Sequence, residues 1–237
     1  MSETKIVYIL TDIEGTTSDI KFVKEVLFPY AARELPKFIR ERHADTEVSA
    51  QLQVVAEEID CTEDDLESII STLLSWIQAD LKKTPLKALQ GQVWRSGYVE
   101  GDFTGHLYDD ANQHLSRWVA SGLKLGVYSS GSVAAQRLLF GYSDFGDLTP
   151  LFSDYFDTQV GHKRERASYA NIVETLVARE RVSVASEVLF LSDVAAELDA
   201  AREVGMQTAE LRRDGAEPSG QHPHFSDFHL LATYFSL

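Results

Sequence analysis

Short apolar runs alternate with segments of helical period along this chain, and this alternation constrains the fold more than any other feature. The runs KIVYILTD, LKLGVYSSGS, EVLFLSD and GMQTAEL each lead into small or polar residues. Between them lie segments with apolar residues at helical spacing, such as DANQHLSRWVASG and RASYANIVETLVARERV. Strands that alternate with helices form parallel sheets covered by helices on both faces. The sequence therefore predicts an α/β fold with a doubly wound parallel sheet.

Four polar residues fall where predicted strands end. Asp12 follows the first run, Ser129 and Ser130 close the second, and Asp193 ends the third. The carboxyl ends of parallel strands meet at one edge of the sheet, and open α/β sheets place their sites there. We therefore expect these four side chains to lie together.

The alternation is broken between about residue 20 and residue 90, where amphipathic helical patterns replace strands. One of them, DLESIISTLLSWIQADLKK, has Thr62 and Asp64 before it as candidate N-caps. We predict an α/β catalytic core of residues 1–17 and 106–237, and an inserted all-helical cap domain with its return linker over residues 18–105. The stretch GQVWRSGYVEGDFTGHLYDD is predicted to lead back to the core, and the tail RRDGAEPSGQHPHFSDF to be a surface loop.

The charge of the chain excludes several classes of partner. A formal charge of −15 provides no basic surface for nucleic acid or anionic membranes, so an anionic substrate needs a local site.

The single cysteine, Cys61, allows no internal disulfide and suits a reducing compartment. No apolar stretch approaches the roughly 20 residues of a membrane span, and MSETK opens no signal peptide. We expect a soluble, cytoplasmic monomer with a small-molecule substrate and no nucleic-acid or membrane partner.

The motif DIEGT places two carboxylates, Asp12 and Glu14, after the first predicted strand. A carboxylate at a strand end can attack a phosphoryl group and form an aspartyl-phosphate. A second acid two residues later can protonate the leaving oxygen and then deprotonate the water that hydrolyses the intermediate. Alternatively, both acids simply cap the following helix.

Two further motifs can bind phosphate. In VYSSGS, the hydroxyls of Ser129 and Ser130 and the N–H groups at a helix start form an anion site without a basic residue, although Ser and Gly are also ordinary turn residues. In VGHKRERASY, Lys163 can stabilise charge on a transferring phosphoryl group. The sequence does not distinguish Lys163 from Arg164 or Arg166, and the preceding glycine favours Lys163 only mildly.

The run LFLSDVAAELDAA ends a strand in Asp193, with Glu197 four residues later. A carboxylate nucleophile beside phosphate oxygens needs a hard cation, and Mg²⁺ takes one or two carboxylates together with water and phosphate oxygen. Asp12 and Asp193 can supply these carboxylates. The alternative is that Asp193 is an ordinary helix cap.

In this order, these segments resemble the haloacid-dehalogenase-like phosphohydrolases, and most closely the enolase-phosphatase family, also called acireductone synthases. The resemblance covers nearly the whole chain, is weakest between about residues 44 and 81, and is carried by DIEGTTSDIKFVKEVLFPYA, YSSGSVAAQRLLFG, YFDTQVGHKRERASYANI and LFLSDVAAELDAA. Many members of the superfamily have aspartate where this chain has Glu14. Glutamate there is usual in the enolase-phosphatase pattern.

The resemblance implies a role for each matching residue. Asp12 would be the nucleophile and a metal ligand, and Glu14 the proton shuttle, with its backbone carbonyl on the metal. Asp193 would complete a site for one Mg²⁺. Ser129, Ser130 and Lys163 would bind the substrate phosphate and neighbouring oxygens.

The resemblance also implies a reaction, in which 2,3-diketo-5-methylthiopentyl-1-phosphate is enolised and dephosphorylated to acireductone in methionine salvage. Three alternatives remain open at this point. One is a phosphatase of the same fold acting on another small phosphate, such as a sugar phosphate. The second is a phospho-accepting signalling module, and the third is a non-catalytic relative that serves as a binding partner.

Overall fold

The computed structural model describes residues 5–213, 215 and 217–237, and within them the chain forms two units. The first comprises Met1–Ile20 and Gly105–Leu237, and the second Lys21–Thr104. Residues 1–4 and residues 214 and 216, which fall within the predicted core, lie outside the described residues. The predicted boundary positions, 17 and 106, lie three residues and one residue from these limits.

The first unit is built on a six-stranded, all-parallel sheet. Its strands are β1 (Tyr8–Thr11), β2 (Lys124–Tyr128), β3 (Phe152–Phe156), β4 (Val188–Ser192), β5 (Gln207–Leu211) and β6 (His224–Phe225). Their order is β3-β2-β1-β4-β5-β6, which confirms the predicted doubly wound sheet. The helices of this unit are α5 (Asp109–Ala120), α6 (Val133–Gly141), α7 (Arg166–Ala178), α8 (Ala195–Arg202) and α9 (Phe228–Phe235).

Strands β1 and β4 form the centre of the sheet, and every residue of both is buried. They pair in parallel register, with Tyr8 opposite Val188 and Thr11 opposite Leu191. The strand order reverses between them, because the chain first builds the sheet outward through β2 and β3 and then returns to β4. Ligands bind at such a reversal, beyond the carboxyl ends of the strands. Asp12 and Asp193 follow the two strands that flank it.

Strand β3, at the edge of the sheet, was not predicted from the sequence. Its segment FSDYF breaks the apolar pattern with Asp154, whose side chain is buried. The carboxylate accepts hydrogen bonds from the Tyr8 hydroxyl (3.0 Å), Arg179 (2.6 Å) and Arg181 (3.2 Å). A buried charge is tolerated only with such partners, and these come from distant parts of the chain.

The second unit is all helical in its described residues, as predicted. A π-helical turn (Phe22–Leu27) is followed by α1 (Phe28–Arg42), α2 (Thr46–Glu58), α3 (Leu66–Gln78) and α4 (Thr84–Glu100). Their apolar faces form one buried cluster that includes Leu35, Val55, Ile69 and Leu89.

One local prediction in this unit was wrong. The N-cap of α3 is Asp65, whose carboxylate accepts from the Ser68 N–H (3.2 Å), rather than Thr62 or Asp64. Much of the predicted return linker belongs to α4, although it contains glycines. A Cβ on Gly97 would lie 2.5 Å from the Phe103 ring and 2.7 Å from the Tyr30 ring, so this glycine is needed for close aromatic packing rather than for a turn.

Among its described residues, the tail after β5 forms no helix or strand before β6, which agrees with the predicted surface loop, although part of it is buried. His222 is buried, β6 pairs in parallel with β5, and α9 ends the chain. No described helix has the length and apolar character needed to cross a bilayer.

Candidate active site

Asp12 stands immediately after β1, and the main chain around it is fixed by hydrogen bonds. Its N–H donates to the Leu191 carbonyl (2.9 Å), which ties it to the end of β4. Its own carbonyl accepts from the hydroxyls of Thr11 (2.9 Å) and Thr17 (3.3 Å). The side chain is almost fully buried. The Asp12 carboxylate is therefore held in place at the carboxyl edge of the sheet.

The chain then closes a tight turn over residues 12–18. The Ile13 carbonyl accepts the N–H groups of Thr16 (3.1 Å), Thr17 (2.9 Å) and Ser18 (2.9 Å). Gly15 has a φ of +72°, a conformation that L side chains rarely adopt. Asp12 and Glu14 thus lie in a turn directly after β1, at the strand end where the sequence predicted them.

Lys163 lies directly beside Asp12. Its Nζ is 2.6 Å from Asp12 Oδ1 and 2.8 Å from Glu197 Oε2, and all three side chains are at least 90% buried. The neighbouring Arg164 and Arg166 are exposed. The structure thus brings Lys163, among the three basic candidates, to Asp12.

Two buried tyrosines hold the main chain around Lys163. The Tyr169 hydroxyl donates to the Lys163 carbonyl (2.7 Å), and the Tyr128 hydroxyl to the Gly161 carbonyl (2.9 Å). A Cβ on Gly161 would lie 2.3 Å from the Ser168 hydroxyl, and its φ of +131° also requires glycine. This close packing explains why a glycine precedes the lysine.

Glu14 is linked to the second strand end. The buried Ser129 hydroxyl donates to Glu14 Oε2 (3.2 Å) and accepts the Gly131 N–H (3.1 Å). Of the six predicted site residues, only Ser130 is exposed. Two contact pairs therefore form at this edge of the sheet, Asp12 with Lys163 and Glu14 with Ser129, whereas Ser130 lies at the surface of the protein.

Asp193 follows β4 and packs against the turn at Gly15. A Cβ on Gly15 would lie 2.2 Å from Asp193 Oδ2, so only glycine leaves room for this carboxylate. Burial, followed by repulsion from the Asp12 charge, raises the pKa of Asp193 to about 6. The Asp12 charge is thus close enough to disfavour ionisation of Asp193.

Glu197 was noted in the sequence but assigned no role there, although it contacts the centre of the site. Its Oε2 accepts from the Ser192 hydroxyl (2.9 Å) and pairs with Lys163. Burial and the Asp12 charge raise its pKa to about 7. Its position on the first turn of α8, four residues after Asp193, was the available signal.

The site gathers more negative than positive charge. Burial and the Asp12 charge also raise the pKa of Glu14, which favours a protonated form able to donate. Burial alone would lower the pKa of Lys163, but the charges of Asp12 and Glu197 raise it, so the ammonium persists. The arrangement contains a buried carboxylate at a strand end, a second acid two residues later and a fixed cation. Groups of these types can act as nucleophile, acid–base group and charge donor in phosphoryl transfer.

The comparisons with known proteins point to the same chemistry. Residues 6–205 match the haloacid dehalogenase-like hydrolase family. The chain is 54% identical to enolase-phosphatase E1 of Serratia proteamaculans over 220 residues, 93% of this chain and 94% of that protein. It is 56% identical to the protein of the same name from Pseudomonas aeruginosa strain LESB58, over 93% of this chain and 95% of the other. The chain belongs to the enolase-phosphatase E1 family of haloacid dehalogenase-like hydrolases.

Solved structures of other proteins share the fold of this chain. The UTR4 protein of Saccharomyces cerevisiae superposes with a TM-score of 0.78 at 37% identity, over 95% of this chain and all of the other. The haloacid dehalogenase-like hydrolase YfnB of Bacillus subtilis, solved with bound magnesium, gives a TM-score of 0.59 at 16% identity, over 99% and 100% of the two chains. At that identity the second likeness concerns the fold alone.

We expect Lys163→Ala to lower kcat/KM for phosphate release on the order of 10²-fold, because it removes one preorganised charge donor. Arg164→Ala is the matched control, since this neighbouring side chain is exposed, and its rate should stay at the wild-type value. Steady-state phosphate release measures both variants. An unchanged rate for Lys163→Ala, with a loss in Arg164→Ala or Arg166→Ala, would assign the phosphate to an arginine instead.

Proposed function

We propose that this protein is a Mg²⁺-dependent enolase-phosphatase that converts 2,3-diketo-5-methylthiopentyl-1-phosphate to acireductone and phosphate in methionine salvage. The observation that carries the proposal is the pair of carboxylates two residues apart, with Asp12 against Lys163 and Glu14 against Ser129. This pair supports phosphoryl transfer through an enzyme intermediate. The substrate comes from the enolase-phosphatase E1 proteins that the chain resembles at above 50% identity.

In the proposed reaction, the substrate is first enolised next to a carbonyl, which gives an enol phosphate. An Asp12 carboxylate oxygen then attacks phosphorus, and the bond from phosphorus to the enol oxygen breaks. Glu14, in its protonated form, gives its proton to that oxygen, and acireductone leaves.

Hydrolysis of the aspartyl-phosphate completes the cycle. Glu14, now a carboxylate, takes a proton from water as the water attacks phosphorus, and Asp12 is released with inorganic phosphate. The ammonium of Lys163 and the hydroxyl of Ser129 bind the phosphoryl oxygens throughout. We include Ser130 as a further oxygen ligand of the substrate, and residues 18–105 as the cap domain.

The donor set fits Mg²⁺. Asp193 is a partly buried carboxylate beside Asp12, and within the described residues no lysine or arginine forms a salt bridge with it. Among the residues that the structure describes, no group of three or more Asp, Glu, His or Cys side chains forms a metal-binding cluster. Mg²⁺ commonly uses one or two carboxylates and completes its shell with water and substrate oxygen. We assign these carboxylates to Asp12 and Asp193, with the Glu14 backbone carbonyl as a third ligand.

When bound, Mg²⁺ supplies Lewis-acid polarisation of a carbonyl and neutralises charge on phosphoryl oxygens. We expect a chelator to abolish phosphate release and added Mg²⁺ to restore it.

Asp193→Ala should shift the Mg²⁺ activation curve to higher concentration, because it removes one carboxylate ligand. Asp109→Ala, at an exposed acid on α5, is the control and should leave the curve in place. A wild-type curve for Asp193→Ala would remove Asp193 from the metal site.

A substrate panel tests the proposed function. Phosphate release should be fast with the diketone phosphate and slow with sugar phosphates, when both are compared as kcat/KM. Preference for a sugar phosphate would assign the protein to another phosphatase group of the same fold. A single phosphorylation without turnover would indicate a phospho-accepting module.

We also propose that the protein acts as a cytoplasmic monomer. The single cysteine supports a reducing compartment. Light scattering coupled to size-exclusion chromatography should give the mass of one chain, and a dimer mass would contradict this.

A further inference from the structure

Arg213 follows β5 in the segment predicted to be a surface loop, yet its side chain is only 9% exposed. Its guanidinium lies over the Tyr108 ring, 4.2 Å from the centroid, and over the Phe228 ring, at 5.0 Å. An arginine packed against two aromatic rings has lost much of its freedom to move and part of its hydration. Such burial needs strong polar partners.

Asp110 on α5 is the first of these partners. Nη1 of Arg213 lies 2.8 Å from Asp110 Oδ1 and 2.7 Å from Oδ2. Asp110 Oδ2 also accepts the Phe228 N–H (2.7 Å) at the start of α9. The ion pair therefore ties the end of β5 to two helices, and its charges neutralise each other within the protein.

The second partner lies in the turn that carries the acid–base group. Arg213 Nε donates to the Thr16 carbonyl (3.0 Å). Inside the turn of residues 12–18, N–H groups of the turn donate to the Ile13 carbonyl. The Thr16 and Thr17 carbonyls instead accept from outside the turn. Thr16 accepts from Arg213, and Thr17 accepts from the Tyr108 N–H (3.0 Å). Arg213 and Tyr108 thus hold the turn through hydrogen bonds from outside it. Arg213 donates from a charged side chain, whereas Tyr108 donates from its main-chain N–H.

We infer that Arg213 is a positioning residue for the phosphatase step, which rests on the proposed function. It fixes the Thr16 carbonyl and so the turn on which Glu14 lies between Asp12 and Ser129. Glu14 must stay within hydrogen-bond reach of the leaving oxygen, and small displacements of catalytic groups cost rate steeply. Lys163 and Ser129, to which we assign phosphate binding, each contact the turn but also have a contact outside it. The Lys163 carbonyl accepts the Tyr169 hydroxyl, and the Ser129 hydroxyl accepts the Gly131 N–H. Loss of Arg213 should therefore lower kcat more than it raises KM.

The test compares Arg213→Gln, Arg213→Lys and the control Arg202→Gln. Arg202 forms an exposed ion pair with Asp199 on α8 and serves as the matched arginine outside the site. Two readouts are collected for each protein: kcat and KM for the diketone phosphate, and amide hydrogen exchange of the peptide covering residues 12–18.

For Arg213→Gln we expect kcat to fall on the order of 10²-fold with a much smaller change in KM. Exchange should become faster in residues 12–18 and change less in α5 and α9. Arg213→Lys should recover part of kcat, because an ammonium reaches one partner but cannot bind both with the geometry of a guanidinium. Arg202→Gln should match the wild type in both readouts.

Unchanged exchange in residues 12–18 would overturn the inference. So would equal acceleration in α5, α9 and the turn, which would indicate a purely structural role, or a loss confined to KM. If the wild-type protein does not act on the diketone phosphate, the proposed function fails, and the exchange measurement still decides whether Arg213 holds the turn.

Discussion

Asp12→Asn is expected to lower phosphate release by roughly 10⁴- to 10⁶-fold, because an amide cannot serve as the attacking oxygen. The substitution keeps the size of the side chain. Lys163 retains its ion pair with Glu197, so the site should keep its shape. Rapid acid quench of the wild-type enzyme during turnover, followed by borohydride reduction and mass spectrometry, should find the aspartyl-phosphate converted to homoserine at position 12.

The same quench of Asp12→Asn should yield no modified residue, and its thermal midpoint should stay near that of the wild type. Wild-type turnover without modification at position 12 would contradict covalent catalysis by this residue. It would instead favour direct attack of water on phosphorus.

Glu14→Gln should slow dephosphorylation by roughly 10² to 10⁴-fold, the usual contribution of a positioned acid–base group. Gln retains a hydrogen-bond acceptor for the Ser129 hydroxyl but cannot give or take the proton. Because Glu14 is assigned to the phosphatase half of the reaction, enolisation should suffer less. The enol phosphate should then accumulate and be visible by ³¹P NMR.

Glu187→Gln is a control for this variant. Glu187 precedes β4, at the opposite end of that strand from Asp193, and accepts the Ser183 N–H, which Gln can also accept. It should turn over as the wild type does. Persistence of the diketone phosphate in Glu14→Gln, with no intermediate, would mean that Glu14 also serves enolisation.

The central strands could be predicted because they are buried on both faces. Strand β4 reads VLFLS, so its apolar run and the polar residue that ends it are visible in the sequence. Strand β3 was missed because Asp154 interrupts it. Its carboxylate is satisfied by Tyr8, Arg179 and Arg181, and the sequence does not reveal such distant pairs.

The same distinction applies to the site. The positions of Asp12 and Asp193 at the carboxyl edge of the sheet could be predicted because each follows a strand, and strand ends converge by topology. The choice of Lys163 over Arg164 depended on packing by Tyr128 and Tyr169, which only the structure reveals.

Two other residues show why local sequence was insufficient. Glu197 lies on a helix where an acid is ordinary, and its place in the site is visible only through its contact with Lys163. Arg213 lies in a polar, glycine-containing tail that is typical of exposed loops. Its burial depends on aromatic rings contributed by Tyr108 and Phe228.

We propose that one site both enolises and dephosphorylates a diketone phosphate. The most direct test of this proposal follows inorganic phosphate and the enediol absorbance of acireductone in the same reaction, with and without Mg²⁺. We predict one enediol formed for each phosphate released, and neither product without Mg²⁺. Phosphate released without the enediol, or no phosphate released from this substrate, would show that this site does not carry out both steps.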